Sequence, residues 1–187
     1  MKILLFSDSH GDTCTMCGVI QKEMPDMIIH LGDSIADADY LSGKYPNIQM
    51  VKLPGNIDSE ADAKDMIKIT EICGKRFIMT HGHTLIKYTF ISESNSYQLT
   101  DEDRTTGRIN MLKCMAENNA DILLHGHTHE PYINSVQTPD KTRWIMNPGI
   151  IRRMDAAISK PTYGILKIDE SGALEWRFVE QTSTTKH

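Results

Sequence analysis

A chain of 187 residues, 40% hydrophobic and 24% charged, has the composition of a soluble globular protein, and one domain of this length can build a stable core without disulfides. Its net charge of −5 excludes a broad basic surface for nucleic-acid backbones. No apolar run reaches about 20 residues, the length of a membrane helix, and the first apolar run is too short for a signal peptide. The sequence therefore predicts a cytoplasmic protein with no membrane partner.

The first third of the chain alternates short apolar runs with helix-like segments. Strands are predicted at residues 2–6, 27–31 and 48–53, and helices at residues 13–24 and 35–45. Each strand ends abruptly in polar residues. This order is typical of βαβ units.

The rest of the chain has a meander-like pattern. The predicted elements are hairpins at 66–80, 132–146 and 163–179, a helix that Thr100 caps and that continues to about residue 118, and a strand at 122–124. Residues 85–99 are ambiguous, with a polar surface loop at 92–96, and residues 181–187 are predicted to be a frayed tail. The mixture predicts a layered α/β sandwich, with a single domain over residues 1–180.

Two of the four cysteines, Cys14 and Cys17, form a C-x-x-C pair within the first predicted helix, whereas Cys73 and Cys114 are isolated. A zinc ribbon would need a second close pair. A thiol-redox pair is the other alternative. We interpret the cysteines as reduced, partly buried thiols.

Motifs of metal-binding side chains follow five of the predicted strands. They are Asp8-Ser9-His10, Gly32-Asp33, Gly55-Asn56-Ile57-Asp58, His81-Gly82-His83 and Gly126-His127-Thr128-His129. A lone D-x-H or G-D motif is commonplace and the GHTH motif is moderately specific, but the ordered combination of all five indicates carboxylates and imidazoles gathered along one rim of a sheet. Mixed nitrogen and oxygen ligands without thiolate suit Mn²⁺, Zn²⁺, Fe or Ni²⁺ better than Ca²⁺.

Two of these motifs place ligands at alternating positions. Asp8 and His10 alternate in an extended stretch, so the backbone must turn at the strand end for both side chains to reach one ion. The same holds for His127 and His129, which could instead face different ions.

In this order the motifs resemble those of the calcineurin-like metallophosphoesterases, in particular their small, single-domain phosphodiesterase branch. The resemblance extends from Met1 to about Gly149, where Asn147-Pro148-Gly149 resembles the N-P-G-S element of the family. It implies a four-layer α/β/β/α sandwich with two mixed β-sheets flanked by helices. The site would lie on loops that follow the strands.

The resemblance also implies two divalent transition-metal ions, most simply manganese, with zinc, iron or nickel as alternatives. Asp8, His10 and His129 would hold the first ion. Asn56, His81 and His127 would hold the second, and Asp33 would bridge both.

The activity that the resemblance implies is hydrolysis of a small or accessible phosphodiester by a metal-bridging hydroxide, with Asp33, Asn56 and His81 as catalytic residues. Metal ions can lower the pKa of bound water from about 15.7 towards 7 and neutralise charge on the phosphoryl oxygens. The expected partner is the phosphodiester itself, without nucleic-acid backbone binding, and a homo-oligomer is left open.

Two residues depart from the family pattern. Ile57 stands where many members have a histidine that can protonate the leaving group. Its presence favours good leaving groups, or makes a metal-bound water or another histidine the donor, and it fits the phosphodiesterase branch. Ile150 replaces the serine after N-P-G, which leaves a backbone or phosphate contact open.

Other polar residues near the motifs have two interpretations each. His30, His83 and His125 either orient the ligands or have structural roles. Arg152 and Arg153 either meet a substrate phosphate or are solvated, and we favour the second interpretation. Residues 85–99 are expected to shape access to the site.

Two other functions remain open. A phosphomonoesterase acting on a nucleotide or phosphoprotein would use the same metals, but Ile57 argues against it because an alkyl leaving group benefits from protonation. A non-catalytic scaffold, like the retromer subunit with this fold, is the second. That subunit departs from the full histidine set, whereas all seven ligand positions are intact here.

Overall fold

Two five-stranded sheets packed face to face form the centre of the computed structural model, which describes residues 1–59, 66–152 and 160–181. The strands are β1 (Lys2–Phe6), β2 (Met27–His30), β3 (Gln49–Lys52), β4 (Ile67–Ile72), β5 (Lys75–Thr80), β6 (Thr89–Ile91), β7 (Ser96–Gln98), β8 (Ile122–Leu124), β9 (Tyr132–Gln137), β10 (Thr142–Asn147), β11 (Thr162–Ile168) and β12 (Leu174–Glu180). The helices are α1 (Thr13–Glu23), α2 (Ile35–Lys44) and α3 (Asp101–Glu117). None of these helices combines the length and apolarity that a membrane crossing needs.

Both large sheets are mixed. The first has the order β12-β11-β1-β2-β3, in which β1, β2 and β3 are parallel and β11 and β12 are antiparallel to their neighbours. The second has the order β4-β5-β8-β10-β9, with β5, β8 and β10 parallel. The predicted α/β class with two mixed sheets is therefore confirmed.

Alternating burial along the strands produces the layers. In β1, Ile3 and Leu5 face the second sheet, whereas Leu4 and Phe6 pack with α1 and α2. In the second sheet, Ile78 packs against α3 on the opposite face from the inter-sheet core. Because side chains alternate along a strand, one apolar run serves two cores, which is why these runs read as continuously hydrophobic. Full burial of each large aliphatic side chain stabilises the fold by about 1.5–3 kcal/mol.

Residues 85–99 contain a small hairpin that the sequence leaves ambiguous. Strands β6 and β7 pair antiparallel, and the turn between them coincides with the predicted polar loop. Thr89 on this hairpin donates a hydrogen bond to Asp103 of α3 (2.9 Å). A hydrogen bond therefore joins the hairpin to α3, and the hairpin forms a separate two-stranded sheet. The predicted tail beyond residue 181 lies outside the described residues.

A capping box begins α3, as its sequence predicts. The Thr100 hydroxyl accepts a hydrogen bond from the Asp103 amide (3.1 Å), and the Asp103 carboxylate accepts one from the Thr100 amide (2.9 Å). Each satisfies a backbone donor that the first turn would otherwise leave unpaired.

We expect Thr100→Ala to lower the free energy of unfolding by about 1 kcal/mol, because it removes the acceptor for the Asp103 amide. Urea unfolding followed by circular dichroism measures the change. Thr106→Ala, an exposed substitution inside the same helix, is the matched control and is expected to be neutral or slightly stabilising. Equal destabilisation by the two variants would contradict the capping role.

Candidate metal centre

The five predicted motifs converge where the parallel strands of both sheets end. Hydrogen bonds join the loops: the Asp8 amide donates to Gly32 O, and the Gly126 amide donates to His81 O, each at 2.9 Å. The carboxyl ends of parallel strands meet at one edge of a sheet, and here the edges of two sheets meet each other. All seven predicted ligands therefore lie in one cluster.

Most of these ligands have left-handed backbone conformations. The φ angles are 56° for Asp8, 43° for His10, 57° for Asp33, 68° for His127 and 58° for His129. This conformation is unfavourable for residues with a Cβ and persists only where the surroundings hold it. It is the turn that the alternating D-x-H and H-x-H motifs require, and it directs both side chains of each motif into the cluster.

Glycines in the motifs allow the loops to approach closely. A Cβ on Gly55 would overlap the Asp33 carboxylate and amide. A Cβ on Gly32 would lie 2.8 Å from His81 Nδ1, and its φ of 105° also favours glycine. These positions therefore have no room for a side chain.

Asp33 lies between two groups of histidines. Its Oδ1 is 3.3 Å from His81 Nε2, and its Oδ2 is 3.8 Å from His10 Nε2. These histidines belong to different predicted ligand sets. Each carboxylate oxygen thus faces a different set, as a bridging ligand would.

Two groups of ligand atoms are close enough to hold an ion. Asp8, His10 and His129 form one group, and Asp8, Asp33 and His81 form the other, with the atoms of each group within 4.8 Å of one another. The first group is the set predicted for the first ion. The second adds Asp8 to residues predicted around the second ion, so the distribution of ligands between two ions stays a prediction.

The other two predicted ligands border His81. Asn56 Oδ1 is 3.0 Å from His81 Nε2, and the His127 ring centroid is 5.1 Å from that of His81. His81 Nδ1 is 2.9 Å from Leu31 O and therefore carries the proton. Nε2 then faces oxygens of Asn56, Asp33 and Asp8, and with Nε2 deprotonated this arrangement suits a cation between them.

The burial of the carboxylates also fits metal ions. Asp8 is fully buried and Asp33 is 3% exposed, and among the described residues neither pairs with a lysine or arginine. Burial raises the pKa of Asp33, and the neighbouring Asp8 charge acts in the same direction. Burial also acts to raise the pKa of Asp8, but the hydrogen bond with His129 and the nearby His81 outweigh it and lower that pKa to about 2. Buried carboxylates without a cation are unfavourable.

The imidazole of His127 is held in the neutral form that binds metal. Burial and repulsion from His81 lower its pKa to about 3. At neutral pH one of its ring nitrogens therefore keeps a free lone pair. The donor set as a whole consists of carboxylate, amide and imidazole groups, which suits divalent transition metals.

His30 supports the first two loops. Its Nε2 is 2.9 Å from Ser9 Oγ, and Ser9 donates to Asp37 Oδ2 at 2.7 Å. Asp37 also accepts from the Gly11 amide at 2.7 Å. The helix α2 carboxylate thus fixes the loop between Asp8 and His10, and His30 orients ligands through Ser9, a role that its sequence position left open.

Asn147 holds the Gly126-to-His129 motif in place through hydrogen bonds. Its amide donates to Gly126 O (2.8 Å) and to Thr128 Oγ1 (2.9 Å), and its Oδ1 accepts from the Gly149 amide (2.8 Å). His125 adds a hydrogen bond with Tyr132 Oη. The N-P-G element therefore acts on the metal-binding loop.

The departure at Ile150 is a packing residue. Its side chain is 1% exposed, and its carbonyl accepts a hydrogen bond from the Thr162 amide at 2.7 Å. Arg152 is exposed, and Arg153 lies outside the described residues. The structure thus assigns Ile150 to the core.

Asp58 is a positioning residue within the Gly55-to-Asp58 motif, and its role could not be predicted from the motif. It accepts from the amides of Ile35 (2.8 Å) and Gly55 (2.7 Å), and so joins the start of α2 to the asparagine loop. The adjacent Ile57 is 57% exposed, and its amide donates to Asp33 Oδ1 at 3.3 Å. Ile57, which stands where many family members have a histidine, therefore lies on the solvent side of Asp33.

Tyr88 is a neighbour of the centre that sequence reasoning missed. Its hydroxyl donates to His127 O (3.2 Å), and its ring lies edge-on to the His127 ring with centroids 5.0 Å apart. It precedes the β6–β7 hairpin, in the segment expected to shape access. His83 packs 6.1 Å from His127, and its buried Nδ1 has no hydrogen-bond partner among the described residues.

Comparisons with known proteins agree with this geometry. The sequence is 23% identical over 163 residues to a Mycoplasma genitalium protein named "Probable metallophosphoesterase", covering 87% of this chain and 85% of that protein. A crystal structure of a predicted phosphoesterase from Streptococcus pneumoniae has a TM-score of 0.65 and 25% identity, covering 96% of this chain and 88% of that one. Vps29 from Entamoeba histolytica complexed with Zn²⁺ shares the fold, with a TM-score of 0.62 and 16% identity over 96% of this chain and 99% of its own.

A family model gives the assignment directly, because it spans most of the chain and all five motifs. The model of the calcineurin-like phosphoesterase superfamily domain matches residues 1–171. The chain therefore belongs to the calcineurin-like phosphoesterase superfamily, as its motifs predict.

Proposed function

We propose that this protein is a binuclear-metal phosphodiesterase that hydrolyses a small or accessible phosphodiester. The observation that carries the proposal is Asp33, whose two carboxylate oxygens face His81 and His10 of different ligand sets. Two bound divalent ions, with manganese as the first choice, would supply a hydroxide nucleophile at neutral pH and offset the charge of the phosphoryl oxygens. Asn56 and His81 would hold the ligand geometry beside Asp33.

The preference for a diester rests on the surroundings of Ile57. A monoester with an alkyl leaving group needs protonation of the departing oxygen. Ile57 is exposed beside Asp33 and has no proton to give, which supports substrates with good leaving groups. The membership of the superfamily supports phosphate-ester hydrolysis more broadly. A cytoplasmic location stays a prediction, and a homo-oligomer stays open.

The test compares bis-p-nitrophenyl phosphate with p-nitrophenyl phosphate in protein loaded with Mn²⁺, Zn²⁺ or Ni²⁺. We expect kcat/KM for the diester to exceed that for the monoester by at least about tenfold, a difference of about 1.4 kcal/mol in activation free energy. Chelated protein should hydrolyse neither substrate.

Asn56→Ala is the control for contaminating phosphatases. Asn56 is exposed, so its removal should leave the fold intact while turnover falls. Folded, metal-loaded protein without diester turnover would refute the proposal, and higher kcat/KM for the monoester would favour the phosphomonoesterase instead.

The other candidate is the non-catalytic scaffold of the same fold that the sequence leaves open. Elemental analysis separates the two. A catalytic centre should retain close to two ions per chain after loading. Well under one ion per chain would favour the scaffold.

A further inference from the structure

A pocket of about 310 Å³ lies beside the last metal-binding motif, between α3 and the second sheet. Its apolar wall is formed by Ile86, Leu99, Met111 and Ile145. A cavity of about 150 Å³ accepts a benzene molecule, so this volume can hold a ring with a substituent. Apolar pockets with a few placed polar groups are typical small-molecule sites.

The polar side of the pocket is positively charged. It carries Arg104, Arg108, Thr105 and Asn134. Arg104 forms a bidentate ion pair with Glu130, in which Nη2 is 2.9 Å from Oε1. Arg108 has no ion-pair partner among the described residues and so leaves a net positive charge at the rim of a protein whose total charge is −5. An apolar wall facing a guanidinium suits a ligand with an apolar body and an anionic group.

The pocket adjoins the metal centre. Thr128 and Glu130 line it, and His127 and His129 are their neighbours in the chain. Tyr88 connects the two regions: its ring lies edge-on to His127 with centroids 5.0 Å apart, and it is two residues from Ile86 of the apolar wall. A molecule with its phosphorus at the metal centre can therefore extend past Tyr88 into the pocket.

We propose that this pocket binds one arm of the phosphodiester substrate, an arm that carries an apolar or aromatic ring and a second anionic group, with Arg108 contacting that anion. The proposal rests on the proposed phosphodiesterase function. It narrows the substrate class to diesters with a further phosphate or carboxylate on one arm. Arg108 is then a specificity-determining residue, whereas the metal ligands act on all diesters alike.

The test uses two substrates that release the same leaving group. They are the p-nitrophenyl ester of thymidine 5′-phosphate and the same ester with an added 3′-phosphate. We expect wild-type kcat/KM to be about tenfold higher for the 3′-phosphorylated substrate, in line with one charge-assisted hydrogen bond at a partly exposed site. Arg108→Ala should bring the ratio of the two values to about 1, and Arg108→Lys should restore part of it.

Lys113→Ala is the matched control, because it removes a positive charge from the exposed face of the same helix without lining the pocket. Its substrate ratio should equal that of the wild type. A wild-type ratio near 1 would overturn the proposal, as would a high ratio that Arg108→Ala leaves unchanged.

A binding measurement separates this proposal from the proposed function. Thymidine 3′,5′-bisphosphate is titrated calorimetrically into metal-free wild-type, Arg108→Ala and Lys113→Ala proteins. Binding that Arg108→Ala alone weakens about tenfold supports the pocket even if neither ester is hydrolysed. Equal binding by all three proteins overturns the proposed role of the pocket, even if bis-p-nitrophenyl phosphate is hydrolysed.

Discussion

Asp33→Asn is expected to abolish metal-dependent turnover and, at the same time, to stabilise the metal-free protein. Asp33 is buried beside Asp8, and among the described residues it has no lysine or arginine partner, only the histidines His10 and His81. An asparagine would remove the buried charge, keep an oxygen for the Ile57 amide and place its own amide on the side of His10. We therefore expect the free energy of unfolding without metal to rise by about 1–3 kcal/mol.

Bound metal should make the wild type more stable than Asp33→Asn, the reverse of the order expected without metal. Ion binding at 100 times the dissociation constant stabilises the wild type by about 2.7 kcal/mol, or about 5–10 °C in Tm for a domain of this size. Asp33→Asn should lose most of that shift, because the amide neither bridges two ions nor carries charge. Turnover of bis-p-nitrophenyl phosphate should fall by at least about 100-fold.

Thermal unfolding with and without Mn²⁺, together with elemental analysis, measures both effects. Asp39→Asn is the matched control: Asp39 is exposed, and within the described part of the chain its one ion pair is with Lys52, so its replacement should change stability by less than about 0.5 kcal/mol. A destabilised metal-free Asp33→Asn protein would show that Asp33 is satisfied without metal. A full Mn²⁺ shift in that variant would exclude a bridging role.

The ligands could be predicted from the sequence because buried charged and polar groups cost stability and are kept for function. The ligand types can be predicted because Asp8, His81 and the other predicted ligands directly follow apolar runs. A buried carboxylate or imidazole at the end of a strand contributes little to folding, so its presence indicates a functional role. The layers are readable for a similar reason, since continuous apolar runs indicate strands covered on both faces. Local chemistry therefore predicts both the sheets and the ligand set.

The supporting contacts depend on tertiary geometry and were not predictable in the same way. Asn147 reads as a motif residue at a turn, but its amide reaches the metal-binding loop because β10 pairs with β8. Tyr88 lies in an ambiguous segment, and only the packing of the hairpin on α3 brings it to His127. An aromatic residue shortly after the HGH motif was the one available signal.

The left-handed ligands illustrate the limit most clearly. Sequence shows that a turn must occur within Asp8-Ser9-His10, but it does not show that Asp8 and His10 themselves adopt positive φ. The backbone preference of residues with a Cβ disfavours positive φ, and the surrounding hydrogen bonds override that preference. Sites of this kind are where local preference and function diverge.

Gly126→Ala is expected to disrupt the metal centre through a single methyl group. A Cβ at this position would overlap Ser7 Oγ and lie 2.8 Å from Asp8 Oδ2. Ser7 is fully buried and donates a hydrogen bond to Asp8, so neither side chain can move without displacing a ligand. Overpacking of this kind lowers the free energy of unfolding by about 1–3 kcal/mol, and we expect loss of metal and turnover in addition.

Gly18→Ala makes the same chemical change where the structure has room for it. A Cβ on Gly18 meets no atom within 4 Å, and the residue lies inside α1, so the variant should gain about 0.5–1 kcal/mol and keep full activity. Urea unfolding, metal content and diester turnover of the two variants give the comparison. Because the substitutions are identical, opposite signs can arise only from the surroundings of each glycine. Wild-type metal content in Gly126→Ala would show that the loops tolerate a wider separation, and the close contact between the first and last motifs would then have no part in holding the ions.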